Sequence, residues 1–129
     1  PVLLMDEPTN GLDIPGKSEF RKAVIKTMDD NRTIIISTHQ VRDLDQLLDH
    51  VTIMDNNGII LDESIESLQQ RFVFGLSPIL PENGVLWSEN IMGGYAYMKM
   101  RTPEEEETDV NLEALFNYTY SKTSSNLNK

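Results

Sequence analysis

Two carboxylates stand side by side at Asp6 and Glu7, and an imidazole follows at His39, 32 residues beyond Glu7. Carboxylates and imidazoles are the side chains that most often take or give a proton in a reaction. The residues in front of each group decide whether they share a place. Val2 to Met5 is an unbroken apolar run, which reads as a strand buried on both faces of a parallel sheet. Pro8 cannot join a sheet ladder, so the strand must stop and the acidic pair is left at its carboxyl end. Thr33 to Ser37 is a second continuous, β-branched run, and it delivers Ser37, Thr38 and His39 to the same edge. Ligands of open α/β sheets collect at that edge. Taken alone, adjacent carboxylates at a strand end read equally as a solvated turn, and a lone histidine after a strand as structural.

The elements between these residues must hold them in register. Asp13 is a good N-cap, with Ile14 and Pro15 in the first turn of a helix predicted over 14–29. Phe20, Val24 and Met28 recur every four residues and Ile25 widens the stripe, which gives a core-facing side. Lys17, Glu19, Arg21, Lys22 and Lys26 fall elsewhere and read as a solvated face, while Thr9 and Asn10 shape the turn. Strand, helix and strand make a βαβ unit. A second helix is expected over about 40–49, with Val41, Leu44, Leu47 and Leu48 on one side. Val51 to Met54 and Ile59 to Asp62 read as strands joined by a hairpin at Asn57-Gly58. Ser64 caps a short helix holding Ile65, Leu68 and Phe72, and His50 reads as structural.

With these residues in view, a resemblance is plain. The run Val2 to Met5 followed by Asp-Glu-Pro-Thr-Asn-Gly-Leu-Asp resembles the Walker B segment and D-loop of an ABC-type ATPase. Ile34-Ile35-Ile36-Ser37-Thr38-His39 resembles the strand and switch histidine of the same family, in the same order and at a fitting spacing. The resemblance runs from Pro1 to about Ser67, and in that context the histidine reads as functional. It implies an α/β fold in which residues 1–70 are the carboxyl-terminal part of a three-layer P-loop NTPase core. It also implies roles: Asp6 supports Mg²⁺ and so helps to bind the nucleotide, Glu7 polarises the attacking water, and His39 touches the γ-phosphate of ATP. Asp13 would reach the nucleotide of a partner subunit in a sandwich dimer. The expected partners are ATP, membrane-spanning transporter subunits and a second ATPase subunit, with the protein peripheral on the cytoplasmic face of the membrane. The Asn10-to-Asp13 loop, the Gln40-to-His50 helix and the extension beyond the core resemble exporters.

The chain has 129 residues, too few for a complete domain of this kind, and lacks both the Gly-x-x-x-x-Gly-Lys-Ser/Thr loop and the Ser-Gly-Gly signature. It reads as the carboxyl-terminal part of a longer ATPase, and by itself it is expected to be inactive because nothing cradles the α- and β-phosphates. The formal net charge of −10, from 21 acidic and 11 basic residues, opposes binding to nucleic acid or anionic membranes. Cysteine is absent, which suits a reducing compartment, and no apolar run approaches the roughly 20 residues that cross a bilayer. A soluble, cytoplasmic chain is expected.

Beyond residue 70 the character changes, and residues 71–129 read as a small α+β extension. Phe72 to Leu76 reads as a strand and Ser77 to Gly84 as a loop. In Tyr95 to Arg101, Tyr95, Tyr97, Lys99 and Arg101 alternate with Ala96, Met98 and Met100, as in a half-buried strand. Glu104 to Glu107 is an acidic run in an exposed loop, and Asp109 or Asn111 caps a last helix carrying Leu112, Leu115, Phe116 and Thr119. Its Leu-Glu-Ala-Leu-Phe stretch resembles the tail helix of ABC exporter subunits, and Ser121 to Lys129 is expected to fray. An alternative is a non-enzymatic dimerisation or regulatory module in residues 72–129, or an ABC ATPase outside transport.

Overall fold

The computed structural model describes residues 2–29 and 31–127, with side chains through Thr123. The chain divides into two compact units at Leu47/Leu48. This division follows packing, whereas the boundary expected near residue 70 marks a change in motif content.

The first unit is a βαβ arrangement. Strand β1 (Val2–Asp6) pairs in parallel with β2 (Thr33–Ser37), from Val2 opposite Thr33 to Asp6 opposite Ser37. Helix α1 (Ile14–Thr27) joins them. Its start is local chemistry: the Asp13 carboxylate accepts the Gly16 N–H at 2.8 Å, and Pro15 sits in the first turn. The expected two-sided burial of the strands is corrected. Val2, Leu3, Leu4 and Ile35 are exposed, because too little of the described chain packs on the faces of the two-stranded sheet. In β2 the pattern alternates, with Ile34 and Ile36 half-buried. The helical stripe is likewise partial: Val24 is buried and Phe20 half-buried, but Ile25 and Met28 are exposed.

The helix expected over 40–49 is a single 3-10 turn, Val41–Leu44. Leu44 and Leu47 are buried as expected, but Gln46 takes φ 63° and interrupts the helix. The Arg21 guanidinium donates to the carbonyls of Asp43 and Asp45, at 2.8 and 2.5 Å. An α-helix would need those carbonyls for its own ladder.

In the second unit, β3 (His50–Asp55) and β4 (Gly58–Ser64) form the expected hairpin, with Asn57 N–H donating to the Asp55 carboxylate at 2.7 Å. The Ser64 hydroxyl accepts the Ser67 N–H and caps α2 (Ile65–Arg71). An antiparallel sheet follows in the order β5 (Phe72–Ser77), β7 (Gly94–Met100), β6 (Val85–Ile91). Strand β6 has no alternating signature and is found only in the structure. Gly94 has φ 154°, and a Cβ there would lie 2.2 Å from the Ser77 carbonyl oxygen, so the crossing of β5 and the β6–β7 turn requires glycine.

Helix α3 (Leu112–Leu127) begins where the Asn111 side chain accepts the Ala114 N–H at 3.1 Å. It remains helical through Leu127, where fraying was expected from Ser121; residues 128–129 of that expectation lie outside the described residues. Leu68, Phe72, Phe74, Met98, Leu112 and Leu115 are all buried in this unit. The expectation of an exposed acidic run over Glu104 to Glu107 is corrected at Glu105. Lys99 is buried, with its ammonium 2.5 Å from the Glu105 carboxylate and 3.0 Å from the Met100 carbonyl. Glu105 is therefore half-buried and paired, unlike the exposed Glu104, Glu106 and Glu107.

Candidate functional site

The parallel register sets the site. Because Asp6 lies opposite Ser37, both strands release their next residues at one edge. The Ser37 hydroxyl donates to Asp6 Oδ1 at 2.6 Å, and the Glu7 N–H donates to the Ser37 carbonyl at 2.7 Å. Glu7 then leaves the strand in the left-handed region, at φ 48°. A non-glycine residue there costs about 1–2 kcal/mol, and here that conformation accompanies a carboxylate turned toward β2.

That carboxylate has three donors from one short segment. Thr38 Oγ1 donates to Oε2 at 3.0 Å, while the His39 N–H donates to Oε1 at 3.1 Å. His39 Nδ1 makes a close contact with the same Oε1. With Nδ1 engaged as donor, the tautomer of the neutral ring leaves Nε2 as an acceptor, and the protonated ring leaves it as a second donor. The His39 side chain is 81% exposed and the Glu7 side chain 24%, so the imidazole is the more open of the two to a ligand.

Asp6, Glu7 and His39 thus meet at the edge, where the sequence placed them. Asp13 stands at the head of α1 instead, its carboxylate on Gly16 and its carbonyl accepting the Lys17 N–H at 2.9 Å. It shares no hydrogen bond with the other three among the described residues. His50 pairs through Nε2 with Asp62 Oδ1 at 2.6 Å, and Thr52 donates to the same oxygen at 2.9 Å. These two hydrogen bonds, first that of His50, hold the exposed Asp62 carboxyl below its usual range.

A polar network behind the edge corrects two readings of the sequence. Thr9 Oγ1 donates to Asp43 Oδ2 at 2.7 Å, and Lys17 Nζ lies 3.3 Å from Asp43 Oδ1. With Arg21 on the Asp43 and Asp45 carbonyls, Lys17 and Arg21 are structural partners of the turn rather than members of a solvated face. The available signal was their i, i+4 spacing against Asp43-Leu44-Asp45, which has meaning only once the two segments are known to meet. Thr38, which donates to Glu7 and accepts the Gln40 N–H at 2.9 Å, also escaped functional notice.

Asp6 is exposed and its carboxylate retains acceptor capacity after the Ser37 bond. Among the described residues no three His, Cys, Asp or Glu side chains gather to hold a metal. A magnesium ion is held mainly by water, one or two carboxylates and substrate phosphates, so a single carboxylate fits that mode and does not form a site alone.

Comparison with known proteins gives a consistent result. The chain is 37% identical over 68 residues to the energy-coupling factor transporter ATP-binding protein EcfA2 of Ligilactobacillus salivarius, covering 52% of this chain and 24% of that protein. It is 37% identical over 71 residues to the bacitracin transport ATP-binding protein BcrA of Bacillus licheniformis, covering 54% and 23%. It is 38% identical over 63 residues to the thiamine import ATP-binding protein ThiQ of Jannaschia sp., covering 48% and 28%. The chain spans about a quarter of the length of these curated relatives. No family model matches it.

Proposed function

We propose that the whole protein is the ATP-hydrolysing subunit of an ABC transporter, from the premise that the matched half of this chain belongs with ABC transporter ATP-binding subunits. The observation that carries the reading is the grip of Thr38 and His39 on the Glu7 carboxylate at the sheet edge. Glu7 would orient the attacking water and accept its proton, while His39 would meet the γ-phosphate as a donor, through an Nε2–H carried by the protonated ring or by the other neutral tautomer. Asp6 would hold Mg²⁺, partly through water, and the ion would supply charge neutralisation on the β- and γ-phosphates. Asp13, committed to its helix cap, would reach toward a second ATPase subunit. Membrane-spanning subunits would bind the assembly at the cytoplasmic face; among the described residues no helix is long and apolar enough to cross a membrane.

Export is the finer reading, supported by the Asn10-Gly11-Leu12-Asp13 loop and by the extension over residues 71–129. The helix from 40 to 50 no longer supports it, since a 3-10 turn occupies that place. The relatives' names include both import and other transport. A second reading treats residues 72–129 as a dimerisation or regulatory module; the buried Phe72, Met98 and Leu115 give that stretch a core of its own.

The test is turnover by the full-length protein carrying Glu7→Gln. Loss of a positioned general base costs about 10²–10⁴ in rate, so hydrolysis falls by that factor while ATP still binds. Turnover at the level of the unmodified protein would contradict the assignment. The isolated 129-residue chain should bind Mg-ATP weakly and hydrolyse none. Micromolar affinity by calorimetry would overturn that expectation.

A further inference from the structure

We propose that Asp43 is a positioning residue for His39, fastening the segment after the imidazole onto the turn after Glu7. The proposal rests on the functional reading of Glu7 and His39 given above.

The contacts of the Glu7–His39 pair are the ones a ligand must change. If Glu7 is to orient water and His39 to meet a phosphate, the bond between them has to lengthen or rotate. The two segments therefore need an attachment that uses no atom of either residue. Asp43 supplies it. Four residues beyond His39, its Oδ2 accepts the hydroxyl of Thr9, which lies two residues beyond Glu7. Thr9 is 2% exposed, making it the most deeply buried described side chain in the first unit. The other carboxylate oxygen faces Lys17 Nζ at 3.3 Å, and the Asp43 side chain is 13% exposed. Arg21 takes the Asp43 and Asp45 carbonyls from the same helix. The carboxylate of Asp43 thus ties the turn after Glu7, helix α1 and the segment after His39 at one point.

A hydroxyl buried to this degree is worth keeping only if it is bonded, and a hydrogen bond to a charged acceptor is roughly twice as strong as a neutral one. Removing either partner leaves the other sheltered without it. The segment would then keep the Thr38 and His39 bonds to Glu7 and a long bond of 3.5 Å from the Gln40 amide to the Asn10 side chain, and His39 would lose its fixed distance from the reacting groups. A misplacement of about 1 Å can cost on the order of 10²-fold in rate.

The experiment measures steady-state ATP turnover and KM in the full-length protein for Thr9→Val, Thr9→Ser, Asp43→Ala and Lys17→Ala, with Glu7→Gln alongside. Thr9→Val and Asp43→Ala should each lower kcat about tenfold or more with KM for ATP within about twofold. The double variant should be no slower than the slower single, since both remove one bond. Thr9→Ser, which keeps the hydroxyl, should restore kcat, and Lys17→Ala, which keeps the Thr9 bond, should leave it within about twofold. A merely structural role would lower melting temperature and active fraction without moving kcat per nucleotide-binding molecule. Unchanged kcat in Thr9→Val, or an equal loss in Thr9→Ser, overturns the proposal. If Glu7→Gln is silent while Thr9→Val and Asp43→Ala are unaffected, the Asp43 assignment alone falls. If Glu7→Gln turns over normally, both readings fall.

Discussion

Residues 2–47 and residues 48–127 differ in the kind of side chain that lies deepest. In the second unit Leu68 and Met98 are fully inaccessible and Leu115 nearly so, and they belong to different elements. In the first, Val2, Leu3, Leu4, Ile14, Ile25 and Ile35 are exposed, and the most buried side chain is the polar Thr9. Both units bury apolar side chains, the first Val24, Leu44 and Leu47, but only in the first is the deepest described side chain polar and hydrogen-bonded to a distant segment. The difference teaches where function is to be expected. Close-packed side chains tolerate little movement, whereas a sheet edge held by exchangeable polar contacts can accept a ligand in their place.

The comparison makes graded claims. Its largest stability effect is Met98→Ala, which should lower unfolding free energy by about 2–5 kcal/mol, the usual cost of emptying a filled core site. Denaturant melts of that variant would blur the contrast between the units if they moved by less than half that amount.

Capping should act alike in both units because it is local. Asn111→Ala and Asp13→Ala should each cost about 0.5–2 kcal/mol. A negligible shift for Asp13→Ala would remove its structural role and leave only the proposed contact with a second subunit.

Acid should act on the second unit through Glu105. Its carboxyl is held down to about 2 from 4.5, chiefly by the Lys99 ammonium and then by the Thr102 N–H. A carboxyl lowered in the folded state adds stability that is complete above its unfolded value and is lost as pH falls through its folded one. Melting temperature should therefore fall between about pH 4.5 and 2, and Glu105→Gln should flatten that limb. An unchanged limb would show that the pair contributes nothing measurable.

The smallest effect is expected at the exposed strand. Leu4→Ser should change stability by no more than about 0.5 kcal/mol, as surface substitutions do. A loss of several times that would mean that β1 is more sheltered in solution than the structure has it.

What the sequence disclosed follows the range of the forces involved. The caps at Asp13, Ser64 and Asn111 act over three residues and were legible, as was the Asn57-Gly58 hairpin. The edge that gathers Asp6, Glu7 and His39 was legible because two apolar runs end just before them. Asn111 and Asp109 could not be separated as caps from sequence alone.

The misreadings all depended on distant neighbours. Arg21 takes the carbonyls of residues more than twenty positions away and stops a helix that its own apolar spacing supports. Lys99 alternates with apolar residues as an outward-facing side chain would, yet Glu105 draws it inside. Strand β6 mixes Leu86 and Trp87 with Ser88, Glu89 and Asn90, so pairing with β7 defines it rather than any period of its own.

The most direct test of the central claim is a double-mutant cycle on Glu7 and His39, read as ATP turnover by the full-length protein. If the two act as one unit, Glu7→Gln and His39→Ala each lower kcat about 10²-fold or more, and the double variant is no slower than the slower single. Losses that simply multiply, or normal turnover in either single variant, would contradict the claim that this sheet edge holds a hydrolytic pair.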